Sequence, residues 1–267
     1  MPEGPEVKRT VEYLNHELKD QMLVVHTILK GRYLKQIWNG FSEFQQLLPL
    51  RVKEISNKGK FIYWTFYGTD FILSNTLGMT GYWSQKKSKH ANLEFMFPKG
   101  TWYFVDTRNF GTISLKTSTQ LLKKLDQLGP DILVETSPDE FISRCRKKRS
   151  KKCIAELLLD QKLLSGVGNY LRAEALYIAK IDPFQTLLDL TDDQLGTLYS
   201  TVRNIALHFF GITPNAQIQK LYGKASPSDY ISISYQTNFL IYGKTIGPKG
   251  EMIRKQKLNG RTLWYVI

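Results

Sequence analysis

The chain has 267 residues, of which 42% are hydrophobic and 23% charged; this excludes a disordered chain and allows a sizeable buried core. Lys and Arg total 37 against 24 Asp and Glu, a formal charge of +13 that favours a polyanionic partner such as DNA, RNA or an acidic membrane surface. There is no apolar run of about 18 residues to span a bilayer. The start Met1-Pro2-Glu3-Gly4 lacks the basic and apolar regions of a secretory signal, and Cys145 and Cys153 supply neither a disulfide framework nor a four-cysteine zinc site, which reads as a reducing, intracellular compartment.

Val7, Val11, Leu14 and Leu18 recur at helical spacing, and Pro5 sits in the first turn where a missing N–H costs nothing. The next hundred residues read as strands: an aromatic run over 61–67, an alternation over 92–97 with Leu93, Phe95 and Phe97 on one face, then 101–105 and 112–115 between glycine turns. This pattern predicts a sheet sandwich or barrel carrying a helix. A helix over 119–128 ends at Gly129-Pro130, and Ser137-Pro138-Asp139-Glu140 has the form of a capping box. Residues 144–152 hold seven basic residues in nine. Helices are predicted over 153–161 and 169–181, with a tight turn over 164–168 between them. Thr191, with Gln194, caps a further helix whose apolar face is Leu195, Leu198, Val202, Ile205 and Phe209. Residues 211–229 read as loop, and β structure is expected from 230 onward.

Six pieces can carry chemistry, each with a plainer alternative. Removal of Met1 would leave Pro2 with a secondary amine, nucleophilic near neutral pH and able to form an iminium with an aldehyde carbon. Glu3 beside it could shuttle protons; otherwise Glu3 and Glu6 are acids at a helix start. Lys58, followed by Gly59, suits close approach to a phosphate, or is a solvated turn lysine. Two glycines before Asn169 leave backbone N–H groups for a phosphate, or Asn169 is an N-cap. Met79, Arg108 and Phe110, on glycine-flanked turns, suit insertion into a base stack; alternatively Met79 and Phe110 are core and Arg108 pairs with Asp106. Arg261 follows an Asn-Gly hairpin turn and suits a phosphate or faces solvent. The basic run over 144–152 is a linker, a DNA contact or a nuclear import signal. The four histidines have no metal-ligand spacing, and no Walker loop, GxSxG or HExxH is present.

In order, PEGPEV (2–7), NKGKF (57–61), LGMTG (77–81), DTRNFG (106–111) and LLLDQKLLSGVGNYLRAEALYIAKIDP (157–183) resemble the formamidopyrimidine-DNA glycosylase / endonuclease VIII (Fpg/Nei) family of base-excision repair, nearly end to end. The resemblance implies an α+β fold: an N-terminal catalytic β-sandwich with flanking helices over 1–130, a basic interdomain linker over 131–152, a helical helix–two-turn–helix domain over 153–229, and a β-hairpin finger over 230–267. It implies Pro2 as Schiff-base nucleophile at C1′, Glu3 as general acid, and Glu6 as support for the ribose and nucleophile. Lys58, also counted as catalytic, and Asn169 would grip the phosphates flanking the lesion. Met79, Arg108 and Phe110 would fill the void left by a flipped nucleotide; a stacked duplex hides the glycosidic carbon, so flipping is required. Family members with a zinc finger carry four cysteines in the C-terminal region, but here no cysteine follows Cys153. NGRTLW (259–264) resembles the zincless finger of the Nei-like branch, with Arg261 in the phosphate-binding role and Trp264 and Tyr265 packing the hairpin. No metal or other cofactor is implied. The partner is damaged DNA, with the choice between double and single strands open, and a monomer with no membrane association is expected. The expected location is the nucleus or wherever the genome is replicated. The lesion-facing loop would lie in 211–229.

The leading expectation is therefore a bifunctional DNA glycosylase / AP lyase removing oxidised pyrimidines and further-oxidised purines of the hydantoin type by β- and δ-elimination. The alternatives are a non-catalytic DNA-structure binder on the same scaffold, and an RNA- or ribosome-associated protein sharing only the helix–two-turn–helix, which leaves residues 2–6 unexplained.

Overall fold

The computed structural model describes residues 1–135, 137–148, 150–225 and 238–266. The chain divides into two compact units, one of residues 1–2 and 6–126, the other of residues 3–5 and 127–267.

The first unit opens with α1 (Gly4–Leu18), whose apolar stripe Val7, Val11, Leu14 and Leu18 is buried as its spacing predicts. Then come β1 (Met22–Leu23), β2 (Val25–Ile28), α2 (Arg32–Lys35), α3 (Phe41–Leu47), β3 (Leu50–Lys58), β4 (Phe61–Phe66), β5 (Phe71–Thr76), β6 (Tyr82–Ser84), β7 (Ala91–Phe97), β8 (Gly100–Val105), β9 (Thr112–Thr117) and α4 (Ser118–Gln127). They form two antiparallel sheets, ordered β1-β3-β4-β5-β9 and β2-β7-β8-β6, so the architecture is a sandwich and not a barrel. Leu93, Phe95 and Phe97 all point inward, and the rings of Trp64 and Phe95, one from each sheet, lie 5.8 Å apart. Each fully buried ring of this kind contributes roughly 2–3 kcal/mol of apolar burial. His26 is buried among Trp38, Phe41, Phe44 and Phe95. Its Nδ1 faces the Glu94 carbonyl at 3.2 Å and its Nε2 accepts from Trp38 Nε1 at 3.3 Å. Burial pushes its pKa down to about 4.

The second unit holds α5 (Asp139–Lys148), α6 (Ile154–Leu157), α7 (Asn169–Ala179), α8 (Asp192–Phe210), α9 (Ala216–Tyr222) and the hairpin β10 (Arg254–Leu258) with β11 (Arg261–Tyr265). Thr191 and Gln194 form the expected reciprocal capping box of α8. At α5 the serine bonds two residues on, not three as in the expected box. Ser137 Oγ accepts from Asp139 N, but Glu140 pairs with Arg144 one turn on.

Four further expectations change. Residues 131–152, expected as a linker, contain α5, whose Phe141 and Cys145 sit in the core of this unit together with Leu263 of the hairpin. The helix expected over 153–161 is the single turn α6. The ladder lapses at Leu159 and Asp160, whose amides go to Glu156 O and Leu157 O, and Asp160 then takes the Lys162 amide on its side chain and the Leu163 and Leu164 amides on its carbonyl. The loop expected over 211–229 contains α9, capped by Asn215 Oδ1 accepting from Ile218 N, with its last four residues outside the described residues. The β structure expected from 230 is, among the described residues, the hairpin β10–β11 preceded by turns.

Candidate active site and nucleic-acid interface

In the first unit, Pro2 is buried and Glu6 is 8% exposed, with Arg9 Nη2 at 3.9 Å from its carboxylate. Lys58 is the last residue of β3, not a turn residue. Its Nζ donates to the Leu125 carbonyl at 3.3 Å, in the last turn of α4, where the helix dipole favours a cation.

The void-filling candidates sit on two loops that are latched together. Asp106 accepts from Thr80 Oγ1, from Arg108 N at 3.2 Å and from Gly111 N at 2.7 Å. A Cβ on Gly78 would lie 2.5 Å from Gly111 N, so only glycine lets the loops approach this closely. Asp106 is thus engaged by the loops, and the Arg108 guanidinium instead lies 5.0 Å over the Phe110 ring. Met79 is half-buried, whereas Arg108 is exposed and Phe110 is 51% exposed. The core reading of Phe110 and the Arg108–Asp106 pair are both set aside.

In the second unit, Glu3 is 1% exposed and its carboxylate accepts from the backbone N–H groups of Gly168 at 2.7 Å, Tyr170 at 2.9 Å and Leu171 at 3.3 Å. A buried carboxylate needs such donors, and the first turn of α7 has N–H groups without intrahelical partners. Gly4 N donates to Gly166 O at 2.8 Å beside it. A Cβ on Gly168 would lie 2.3 Å from Glu3 Cδ, so this glycine makes room for the carboxylate.

Asn169 is the first residue of α7; the N-cap is Gly168, so the capping alternative for Asn169 does not hold. Its Oδ1 accepts from Arg172 Nη2 at 3.3 Å, an interaction that engages the oxygen side of the amide. Arg172 is fully buried and also donates to Ala155 O at 3.1 Å and to Thr262 O at 2.9 Å. Burial lowers its pKa to about 10, against the opposing pull of the Glu3 charge. Arg172 thereby joins Asn169 to the hairpin strand that begins at Arg261.

The hairpin turn is Asn259-Gly260, with φ of 46° and 76°, the left-handed pair that a two-residue turn requires. Asn259 Nδ2 donates to Glu156, and Arg261 is exposed and lines a basic hollow of about 320 Å³ with Lys148, Lys152 and Asp160. Trp264 packs 4.5 Å from Tyr242, and Tyr265 packs 5.0 Å from Phe184. In the basic run, Arg144 pairs with Glu140, Arg146 with Asp192 and Lys148 with Asp160, which engages three of its cations within the fold. Among the described residues no group of three or more His, Cys, Asp or Glu could hold a metal ion.

Two buried charges escaped the sequence reading. Arg172 and Glu174 are both fully buried on α7. Glu174 accepts from Leu240 N at 2.7 Å, Ile241 N at 2.9 Å, Tyr242 N at 2.8 Å and Tyr222 Oη at 2.6 Å. The nearest of these partners is 48 residues away, so spacing offered no signal.

Comparison with known proteins gives the class first. Residues 1–113 match the formamidopyrimidine-DNA glycosylase N-terminal domain and residues 128–210 its H2TH domain, which defines a DNA glycosylase of the helix–two-turn–helix type. The formamidopyrimidine-DNA glycosylase of Lactococcus lactis subsp. cremoris is 28% identical over 277 residues, spanning 98% of this chain and 96% of the relative. That of Thermus thermophilus is 30% identical over 251 residues, spanning 91% and 88%. The solved structure of the Lactococcus lactis enzyme non-covalently bound to DNA containing an AP site superposes with a TM-score of 0.80 at 25% identity, covering 99% and 97% of the chains. MutM in complex with DNA containing carbocyclic 8-oxo-G gives 0.81 at 26% identity, covering 99% and 98%. The chain belongs to the formamidopyrimidine-DNA glycosylase family, the DNA glycosylases of base-excision repair. Among the described residues, no helix is long and apolar enough to cross a membrane.

Proposed function

We propose that the protein is a bifunctional DNA glycosylase and AP lyase of the Nei-like branch. It removes oxidised pyrimidines and hydantoin-type lesions through a Schiff base on Pro2, followed by β,δ-elimination. The observation that carries this reading is Glu3: a buried carboxylate next in the chain to the candidate nucleophile, held by three backbone amides. Those amides fix the position of the carboxylate, which suits a group that takes a proton and returns it.

Removal of Met1 frees the Pro2 nitrogen. Its lone pair attacks C1′, and the glycosidic bond breaks with its electron pair leaving on the base, which is protonated from solvent. Glu3 takes the amine proton and returns it to O4′ as the C1′–O4′ bond opens, leaving an iminium between Pro2 and C1′. The iminium draws electrons from C2′–H. Loss of that proton expels the 3′ phosphate, and a second elimination expels the 5′ phosphate. Glu6 supports the ribose and the nucleophile. Lys58, Asn169 and Arg261 bind phosphates, and Lys58 also serves the chemistry. Met79, Arg108 and Phe110 fill the void left by the flipped nucleotide, a role supported by the exposed Arg108–Phe110 stack on its latched loops. The zincless finger is supported by a hairpin whose Leu263 is buried and whose Trp264 packs on Tyr242.

A duplex with one oxidised pyrimidine tests the substrate and the elimination together. The reading predicts strand scission leaving phosphate on both sides of a one-nucleotide gap, with scission lost in Pro2→Gly. Tight binding without scission would favour the non-catalytic alternative.

A further inference from the structure

The turn between Arg108 and Phe110 is held from beneath by residues to which no role has been given. Asn109, at its centre, has a φ of 56°, a left-handed conformation that asparagine adopts more readily than most residues. Asn109 is half-buried, whereas its two neighbours are exposed and stack on each other. The side chain that meets it is Asn92 of β7, itself only 3% exposed. Both hydrogens of the Asn92 amide group are used: Nδ2 donates to Asn109 Oδ1 at 2.8 Å and to Asp106 O at 3.2 Å.

The segment leading into α2 closes on the same point. The Asn92 carbonyl accepts from Leu29 N at 2.9 Å and Lys30 N at 3.3 Å, which brings Gly31 against the turn. Gly31 has a φ of 82°, and a Cβ there would lie 2.5 Å from Asn109 Oδ1. Arg32 Nη1 donates to Asn109 O at 3.4 Å. Tyr33, buried in α2, holds the far end of the turn: its Oη donates to Gly111 O at 3.3 Å and accepts from Ile113 N at 2.8 Å. Glycine at position 109 would supply the backbone conformation alone; asparagine supplies it together with an anchor, and Asn92 is the buried partner of that anchor.

We infer that Asn92 is a positioning residue for nucleotide flipping: through Asn109 it holds the Arg108–Phe110 stack in one preformed shape before DNA arrives. The inference rests on the void-filling role proposed above. A loop that had to order itself while entering a base stack would lose conformational entropy at that step; a loop anchored in the fold has already lost it. Asn92 acts through Asn109 and touches no nucleotide, so its effect falls on insertion into the void and not on the phosphate contacts.

The test uses the full-length protein and a duplex in which a stable abasic analogue faces a fluorescent adenine analogue, whose emission changes as side chains enter the void. Affinity for the undamaged duplex, read by anisotropy, reports the phosphate contacts and an intact fold. In Asn92→Ala the rate of the fluorescence change is expected to fall about threefold to tenfold, the scale of one or two lost neutral hydrogen bonds, while affinity for undamaged duplex stays within about twofold. Asn109→Gly keeps the left-handed backbone and removes the anchor; a fall of about threefold is expected, which covers the case where Asn92→Ala does not fold. Because both residues act through one contact, the double variant is expected to lose less than the product of the two falls. An unchanged insertion rate in both single variants, equal falls in insertion and in affinity for undamaged duplex, or a product-sized fall in the double variant overturns the inference. Arg108→Ala separates the two levels. If it leaves the fluorescence change as in the wild type, the void-filling role fails and the inference with it; if it abolishes the change while Asn92→Ala and Asn109→Gly do not slow it, the void-filling role stands and the inference alone fails.

Discussion

The loops carrying Met79, Arg108 and Phe110 and the first turns of α7 carry charge in opposite ways. On the loops Arg108 and Phe110 are exposed and Met79 is half-buried, and the acid beneath them, Asp106, holds backbone together. At α7 the charges of Arg172 and Glu174 on the helix, and of Glu3 against its first turn, are buried and taken up by backbone amides and carbonyls distant in sequence. The difference teaches where function and stability separate. An exposed side chain on a latched loop can be removed with little change in the fold, whereas a buried charge cannot leave without stranding its partners.

The largest expected effect lies on the buried side. Arg172→Met leaves the Ala155 and Thr262 carbonyls and the Asn169 amide without their donor, and is expected to cost about 3 kcal/mol or more in urea unfolding. A cost below about 1 kcal/mol would break the contrast with the loops. His26 gives a comparable effect of buried charge in the first unit, read through pH. Its pKa is lowered in the fold to about 4, against an ordinary value of 6.5. Its neutral form is favoured, so the contribution is full above pH 6.5 and is lost as pH falls towards 4. The integrated loss is about 3 kcal/mol. His26→Phe should therefore show a flatter decline in stability over that window than the wild type; equal declines would count against a neutral buried imidazole.

Smaller effects belong to the exposed side. Arg108→Ala and Phe110→Ala should change unfolding free energy by no more than about 0.5 kcal/mol while lowering excision. A stability loss as large as that of Arg172→Met would erase the comparison. Lys58→Ala and Arg261→Ala should each reduce the slope of log K against log salt by about 1, measured by fluorescence anisotropy on an abasic duplex, and weaken binding alike across sequences. An unchanged slope would remove the phosphate assignment of that residue.

The strands and α1 were legible because their signals are local. The alternation of Leu93, Phe95 and Phe97 and the stripe Val7 to Leu18 need no distant partner to be read. The candidate residues were legible from short motifs, but their surroundings were not. Glu3 finds its donors 165 or more residues away, and Arg172 finds Thr262 at a separation of 90. Helix α9 did carry local signals, Asn215 at its start and Gly223 at its end, but its one buried residue, Ile218, left no apolar period to notice. The helix expected over 153–161 failed for the reverse reason: its apolar pattern was real, but the backbone passes at Leu159 into tighter turns that Asp160 carries on.

The central claim is the nucleophile. Untagged protein, with loss of Met1 verified by mass, is incubated with an abasic duplex and borohydride alongside Pro2→Gly. The account predicts a covalent protein–DNA adduct whose peptide maps to Pro2 and which is absent or much reduced in the variant. Tight DNA binding with no adduct, or an adduct at another residue, would contradict it.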